Sequence, residues 1–279
     1  MDEYLNQISH DEYLFGVDLF VESAWIGHAP VLKYLIREVR PKNYVELGVH
    51  NGFSYFVACQ SFLENKINGK TYAIDHWLGD GHVGLLTASV YEEVQTYNSN
   101  YANFSELMKM DFNSAANRFS ESSIELLHID GFHSYESVKE DFETWLPKIA
   151  KNGIVLLHDI CVRRNDFGVY QFWDEIKTQY KTMEFVGSHG LGVIFLGEIQ
   201  GHGLEKLYNF SITNNGMAKV QGTFGSISDD VIQKSKNEKI NNLITERDAA
   251  ITEREEIANS RIWRTFSVYR SLRIWISRI

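Results

Sequence analysis

The chain contains 279 residues, of which 44% are apolar and 13% aromatic, and its formal net charge is −10. This length allows one large domain with an appendage, and the apolar share predicts a folded chain rather than a disordered one. The acidic balance argues against a general nucleic-acid binder, because phosphate contacts require clustered Lys and Arg.

The first 200 residues alternate between predicted strands and predicted helices. Residues 29–40 place apolar side chains at helical spacing, and Pro30 suits the first turn of a helix. Residues 54–63 and 134–149 are further predicted helices, and buried strands are predicted at 44–48, 72–75, 107–110, 124–130, 154–158, 183–186 and 192–196. The alternation predicts an α/β fold with a doubly wound, Rossmann-like, mostly parallel seven-stranded sheet, in which the last two strands form an antiparallel pair.

The pattern changes beyond the first 200 residues. Residues 1–200 form the predicted domain with an N-terminal helical lid segment, and residues 201–228 are predicted to be a polar linker. Residues 229–258 predict a charged helix in which Ile244 and Ile251 begin two successive seven-residue repeats. That period is typical of a short coiled coil, although a single solvated helix fits the same residues.

Residues 259–279 interleave arginines with aromatic and aliphatic side chains, which predicts a basic amphipathic tail. Such a helix can lie on an anionic membrane surface, dock on a partner, or pack on its own domain. Two cysteines are too few for a disulfide framework, the acidic N-terminus has no apolar signal core, and no run reaches the ~18 apolar residues of a spanning helix. We therefore expect a cytoplasmic protein, peripheral to the inner membrane if the tail binds lipid.

A glycine-containing turn follows the first predicted strand. Gly48 and Gly52 allow a close backbone approach to a ligand and unusual φ angles. His50 stands where the dinucleotide-binding fingerprint G-x-G-x-x-G requires its middle glycine, which disfavours a dehydrogenase. Glu46, just before the turn, suits a cationic or amino-bearing ligand better than a phosphate.

Asp75 ends the second predicted strand. A carboxylate at this point can accept hydrogen bonds from both hydroxyls of a ribose, as in nucleoside-binding folds. Helix capping is the alternative role for an aspartate here. Trp77, Asp111 and Phe112 follow the second and third strands and are predicted to flank an adenine ring.

Acid and imidazole side chains follow two neighbouring predicted strands. Asp130 and His133 come after one strand, and His158 and Asp159 come at the end of the next. Because the carboxyl ends of parallel strands meet at one edge of a sheet, these side chains can converge on one point. Asp130 and Asp159 are predicted metal ligands, with His158 as a further candidate, and His133 is suited to take a proton from a hydroxyl group. His128 lies deeper in its strand and is predicted to be a core histidine.

Several segments together resemble a known enzyme family. The segments that carry the resemblance are residues 45–54, 73–75, 127–136, 141–147, 153–159 and 190–193. They resemble class I S-adenosylmethionine-dependent O-methyltransferases, in particular those of bacterial glycan and macrolide-sugar gene clusters. The resemblance covers residues 23–197, and the tail is similar to connectors that join such domains to glycosyltransferases.

The resemblance implies that the methyl donor S-adenosyl-L-methionine is held by Glu46, Gly48, Gly52, Ser54 and Asp75. It further implies that Asp130 and Asp159 hold a divalent metal, Mg²⁺ or Mn²⁺, with His133 as the general base and Asp130 beside it in the catalytic centre. Catechol-type relatives have lysine in place of His133 and asparagine in place of Asp159. The implied reaction is metal-assisted methylation of a hydroxyl on a sugar, a glycan-related compound or another small molecule.

Two other functions are compatible with the same sequence. His128, Asp130 and His158 offer the donors of a non-haem metal oxygenase or a hydrolase. Alternatively, the chain is a non-catalytic scaffold of a glycan-assembly complex, which contacts a membrane surface or a glycosyltransferase through its tail. Neither alternative involves nucleic acid, and the heptads are compatible with a homo-oligomer.

Overall fold

The computed structural model describes residues 1–80, 84–164 and 166–260, together with residues 265, 266, 269 and 270. Two compact units make up the chain, Met1–Ile232 and Gln233–Ile279. Among the described residues, no helix combines the length and the apolar character needed to cross a bilayer.

The first unit contains a seven-stranded sheet. Its strands are β1 (Asn43–Leu47), β2 (Lys70–Asp75), β5 (Ser105–Lys109), β6 (Ile124–Ile129), β7 (Ile149–His158), β8 (Lys181–Phe185) and β9 (Leu191–Phe195), while β3 (Gly79–Asp80) and β4 (Gly84–Leu85) form a separate short hairpin. The spatial order is β5-β2-β1-β6-β7-β9-β8, and all neighbours are parallel except that β9 runs antiparallel to both β7 and β8. The predicted doubly wound, mostly parallel seven-stranded sheet is therefore confirmed.

Helices cover the two faces of this sheet. They are α1 (Asp2–Ser9), α2 (Glu12–Phe15), α3 (Ala29–Val39), α4 (Phe53–Glu64), α5 (Ala88–Asn98), α6 (Phe112–Ala116), α7 (Tyr135–Trp145), α8 (Val169–Ile176), α9 (His202–Ser211) and α10 (Gly216–Asn259). The N-terminal segment is helical, as expected. Its role as a lid stays a prediction.

The core consists of two apolar layers, one on each face of the sheet. Successive residues of β1 enter different layers: Tyr44 packs with the cluster that includes α3 and α4, and Val45 packs with the cluster that includes α7 and α8. The same alternation holds for Leu156 and Leu157 in β7. Because both faces are covered, these strands are nearly continuous apolar runs, as expected for a parallel sheet.

The segment 201–228 differs from the predicted linker. It forms α9 and the first turns of α10, and it buries Leu204, Leu207, Val220, Phe224 and Ile227. The Phe224 ring lies 5.5 Å from the rings of both Tyr34 and Phe185. Glycines and polar residues hide the helical spacing of these few apolar side chains, and tertiary burial outweighs their weak helix propensity.

In the second unit, α10 continues to Asn259 as the charged helix that the sequence predicted for residues 229–258. Ile244 and Ile251 are 42% and 47% exposed, so the apolar positions of the heptads face solvent in this single chain. The coiled coil stays a prediction. Most of the predicted basic tail, residues 259–279, lies outside the described residues.

Candidate active site

A cavity of about 470 Å³ opens at the carboxyl ends of the parallel strands. Its walls come from the segments that follow β1, β2, β5, β6 and β7, together with residues 22–25 and His189. This is the crevice in which open α/β sheets bind ligands, and its volume is that of a small-molecule site.

The turn after β1 depends on Gly48. Its φ is +85°, and a Cβ placed there would lie 1.9 Å from the backbone oxygen of Asp130. Only glycine therefore lets this turn pass directly beside the end of β6. Gly52, also at positive φ, precedes α4, and Ser54 in the first turn of α4 lines the cavity.

Asp75 holds the glycine turn in shape while it lines the cavity. Its Oδ2 accepts the backbone N–H groups of Val49 and His50 at 2.9 and 3.0 Å, and its Oδ1 accepts that of Trp77 at 2.6 Å. No α-helix follows Asp75 directly, so it does not cap one. Asp75 occupies the place predicted for a ribose-binding carboxylate.

Three of the predicted donor-binding residues do not line the cavity: Glu46, Gly52 and Trp77. Glu46 is fully buried and accepts the hydroxyls of Ser54, at 2.7 Å, and Tyr44. Trp77 is also buried and donates its indole N–H to the His50 carbonyl at 3.0 Å. Glu46 can therefore act on a ligand only through Ser54, and Trp77 supports the turn rather than flanking a base.

Asp111 and Phe112 line the opposite wall. The Asp111 carboxylate accepts the Ser114 N–H at 2.8 Å and so caps α6, and this hydrogen bond lowers the pKa of Asp111. A Cβ on Gly131 would lie 2.5 Å from the Phe112 ring. Glycine at 131 therefore allows this ring to lie against the end of β6.

Asp130, His133 and Asp159 form the floor of the cavity. One ligand atom from each lies within 4.8 Å of the others. His133 Nε2 is 2.9 Å from Asp159 Oδ2 and 3.8 Å from Asp130 Oδ1. The two carboxylates offer hard oxygen donors that fit a divalent cation such as Mg²⁺ or Mn²⁺, and the imidazole lies beside them.

The pKa values of the side chains at the floor depend on contacts between imidazoles and carboxylates. Burial lowers the pKa of His133, but hydrogen bonds and charge from Asp130 and Asp159 outweigh it and raise the pKa to about 9. Burial raises the pKa values of the two carboxyls, yet the imidazoles of His133 and His158 hold both well below the usual range. The floor therefore carries two carboxylates whose charge is balanced by imidazolium groups.

His158, the further candidate metal ligand, has protein partners at both ring nitrogens, and its role as a ligand stays a prediction. Its Nδ1 lies 3.1 Å from Asp130 Oδ1, and its Nε2 donates to the Ser188 carbonyl at 3.0 Å, so both ring nitrogens are engaged. Burial lowers the pKa of His158, but Asp130 raises it well above its ordinary value, so the ring donates from both nitrogens. Asp159 has φ +61°, and this left-handed residue ends the strand, which brings the neighbouring side chains of His158 and Asp159 to the same point.

The set proposed for an oxygenase or hydrolase, His128 with Asp130 and His158, does not assemble. His128 is fully buried and does not line the cavity. Its Nε2 accepts the indole N–H of Trp25 at 3.1 Å, and its Nδ1 lies 3.1 Å from Glu46 Oε2. The His128 ring thus contacts Trp25 of the N-terminal segment and Glu46 of β1, outside the cavity.

Some residues of the site were not identified from the sequence, among them His189, Phe167 and Arg164. His189 Nδ1 lies 3.0 Å from Asp159 Oδ1, and Phe167 stacks on the His133 ring, with 4.6 Å between centroids. Arg164 lines the cavity as well. The antiparallel pairing of β9 with β7 brings the loop that carries His189 to the end of β7, and only knowledge of that pairing could have revealed it.

Part of this chain is similar in sequence to known proteins. Residues 45–160 match the profile of a family described as a methyltransferase domain. An uncharacterized protein, y4gI of Sinorhizobium fredii (strain NBRC 101917 / NGR234), is 40% identical over 185 residues, which cover 66% of this chain. The match spans only 20% of that relative's length.

The fold also has counterparts among solved structures. A Staphylococcus aureus protein assigned to the caffeoyl-CoA O-methyltransferases aligns with a TM-score of 0.50 and 16% identity, over 70% of this chain and 91% of that one. At this identity the likeness shows a shared fold alone. The family profile is the finding that relates residues 45–160 to methyltransferase domains.

Proposed function

From the premise that residues 45–160 carry a methyltransferase domain, we propose that the chain is an S-adenosylmethionine-dependent O-methyltransferase. We further propose that it is assisted by a divalent metal and acts on a hydroxyl of a sugar or glycan-related acceptor. The single observation that carries this proposal is the convergence of Asp130, His133 and Asp159 at the floor of the cavity beside the glycine turn.

The cavity residues fit the methyl donor. Asp75 offers carboxylate oxygens for ribose hydroxyls, and Ser54 presents a hydroxyl that Glu46 holds in place. Glu22 and Asp111 add negative charge to the walls, which suits a cationic sulfonium. Phe112 offers an apolar face beside them, as expected for an adenine-binding wall.

The floor residues fit a hard divalent cation. Asp130 and Asp159 would hold it through carboxylate oxygens. The imidazoles that lie against these carboxylates show that the surroundings stabilise a positive charge at this point. When bound, such a metal supplies a Lewis acid that lowers the pKa of an acceptor hydroxyl, and the donor supplies the methyl group.

In its neutral form, which a pKa of about 9 makes the major form only above that pH, His133 is the residue placed to receive the hydroxyl proton. Its Nε2 faces the cavity floor, Asp159 orients that nitrogen, and Phe167 fixes the plane of the ring by stacking at an angle of 8°. The backbone of His133 is held as well, since its carbonyl accepts the Gly168 N–H at 2.7 Å. The protein thus contributes mainly alignment and proton transfer, because the reactive carbon belongs to the donor.

Replacing His133 with Ala tests the base assignment. We expect turnover to fall by on the order of 10²–10⁴-fold, because proton transfer by a positioned side chain contributes about that much. Binding of S-adenosylmethionine should survive, since the contacts proposed for the donor come from Ser54, Asp75 and Phe112. The matched control is His10→Ala, because His10 is an exposed histidine that follows the last residue of α1. An unchanged turnover number in the His133→Ala variant would refute the assignment.

A further inference from the structure

We propose that the acceptor carries an anionic group, a carboxylate or a phosphate, which binds the guanidinium of Arg164 while a hydroxyl of the same molecule lies at His133. This inference rests on the proposed methyltransferase function and adds the chemical class of its acceptor.

Arg164 contributes a guanidinium to the wall of the cavity. Among the described residues that line the cavity it is the only lysine or arginine. Its side chain is exposed, and it forms no ion pair with a carboxylate in the described parts of the chain. A guanidinium that makes no ion pair with a carboxylate can use its N–H donors on a ligand, and its planar fork matches a carboxylate or a phosphate.

The loop that carries Arg164 is tied to the base. The Arg164 guanidinium lies over the Phe167 ring at 4.7 Å from its centroid, and the Phe167 ring stacks on His133 at 4.6 Å. The Gly168 N–H donates to the His133 carbonyl at 2.7 Å, and the Phe167 N–H donates to the Arg164 carbonyl at 3.0 Å. The guanidinium and the imidazole therefore contact the same aromatic ring, and a ligand with two separated polar groups can address both.

The surrounding charges restrict where an anion can bind. Glu22, Asp75 and Asp111 line the rest of the cavity and repel a negative group. Asp130 and Asp159 lie at the floor of the cavity, where imidazole groups already balance their negative charge. An anionic acceptor can therefore enter in one orientation, with its charged end at Arg164 and its hydroxyls toward the floor, which makes the residue a determinant of both affinity and orientation.

The adjacent Arg163 is a matched control. Its guanidinium donates to the Ile160 carbonyl at 2.9 Å and lies over the Tyr170 ring at 4.0 Å. It is as exposed as Arg164 but does not line the cavity. Substitution of either arginine removes one positive charge from the same loop, so a difference between the two variants reports on the cavity rather than on net charge.

The experiment measures binding to the full chain saturated with S-adenosylhomocysteine, by calorimetric titration. The probes are two matched pairs: methyl glucuronide with methyl glucoside, and glucose 6-phosphate with glucose. We expect the charged member of at least one pair to bind more tightly than its neutral partner. The Arg164→Gln variant should lose about tenfold or more of that affinity, as charge-assisted hydrogen bonds contribute, whereas Arg163→Gln should bind like the wild type.

Each outcome has a separate meaning. If S-adenosylhomocysteine fails to bind, the proposed methyltransferase function fails with it. If S-adenosylhomocysteine binds but charged and neutral probes bind alike, or not at all, the anionic-acceptor proposal is overturned while the function stands. Equal losses in both arginine variants also overturn it. Preference for the glucuronide over the phosphate, or the reverse, identifies which anion Arg164 recognises.

Discussion

At the scale of single residues, the candidate site is assembled from side chains that would each be costly to bury alone. Asp130 and Asp159 remain charged because His133 and His158 lie against them, and His158 is in turn held by the Ser188 carbonyl. The positions of Asp130, His133 and Asp159 could be predicted, because strand ends in a parallel sheet must meet. The burial of Glu46 away from the cavity could not be predicted, because its partners come from three different elements: Tyr44, Ser54 and His128.

Asp141 gives a prediction at this scale. It is buried in α7 close to Gly131, and it makes no hydrogen bond or ion pair within the described residues. Burial, with a smaller contribution from Glu140, raises the pKa of Asp141 from 3.8 to about 7. The folded state must therefore bear a growing cost of ionisation as the pH rises from the unfolded pKa to the folded one.

Asp141→Asn should remove that cost. The variant should gain stability relative to the wild type above pH 7, by up to roughly 4 kcal/mol from the shift in pKa. The gain should shrink as the pH falls and vanish below the unfolded pKa of 3.8, where both states hold the proton. Thermal melts at pH 5 and pH 8 measure it, with the exposed Glu143→Gln as control. A gain of equal size at both pH values would show that Asp141 is not a strained carboxylate.

At the scale of elements, the turn between β1 and α4 joins the fold to the site. The carboxylate of Asp75 holds its backbone, and Gly48 passes against the backbone of Asp130. The sequence identified this turn from its glycines. It could not identify α9 or the packed start of α10, because their few apolar side chains stand among glycines and polar residues, and their burial depends on contacts with α3 and β8.

Gly48→Ala tests the turn. A Cβ would collide with the Asp130 backbone at a φ that other residues rarely adopt, so we expect loss of stability and of S-adenosylmethionine binding together. Gly222→Ala is the control: this glycine lies in α10 with open space around its Cβ position, and the substitution should stabilise by about 0.5–1 kcal/mol. Denaturant unfolding and donor titration report both effects. Donor affinity that is unchanged in Gly48→Ala would mean that the turn is not part of the donor site.

At the scale of the whole molecule, the boundary of the folded unit is a testable feature. The unit Met1–Ile232 includes α9 and the start of α10, whose buried side chains cover α3 and β8. A chain that ends at residue 200 would lose Leu204, Leu207, Val220, Phe224 and Ile227 from its core. At ~1.5–3 kcal/mol for each buried side chain, that loss is comparable to the entire stability of a domain.

We therefore expect a chain of residues 1–232 to unfold cooperatively and to bind the methyl donor, and a chain of residues 1–200 to do neither. Circular dichroism melts and donor titration of the two chains make the comparison. Cooperative unfolding of the shorter chain would show that residues 201–232 behave as the linker that their composition suggested. The longer chain also separates the enzyme from the scaffold alternative, because a scaffold would lose its partner with residues 233–279 while an enzyme keeps its activity.

The most direct test of the central claim is calorimetric titration of the full chain with S-adenosylmethionine, in the absence and in the presence of Mg²⁺ or Mn²⁺. The account predicts saturable binding of one donor molecule per chain, and metal binding that Asp159→Asn weakens while donor binding persists. If no donor binding occurs with or without a divalent metal, the cavity at the strand ends is not a methyl-transfer site.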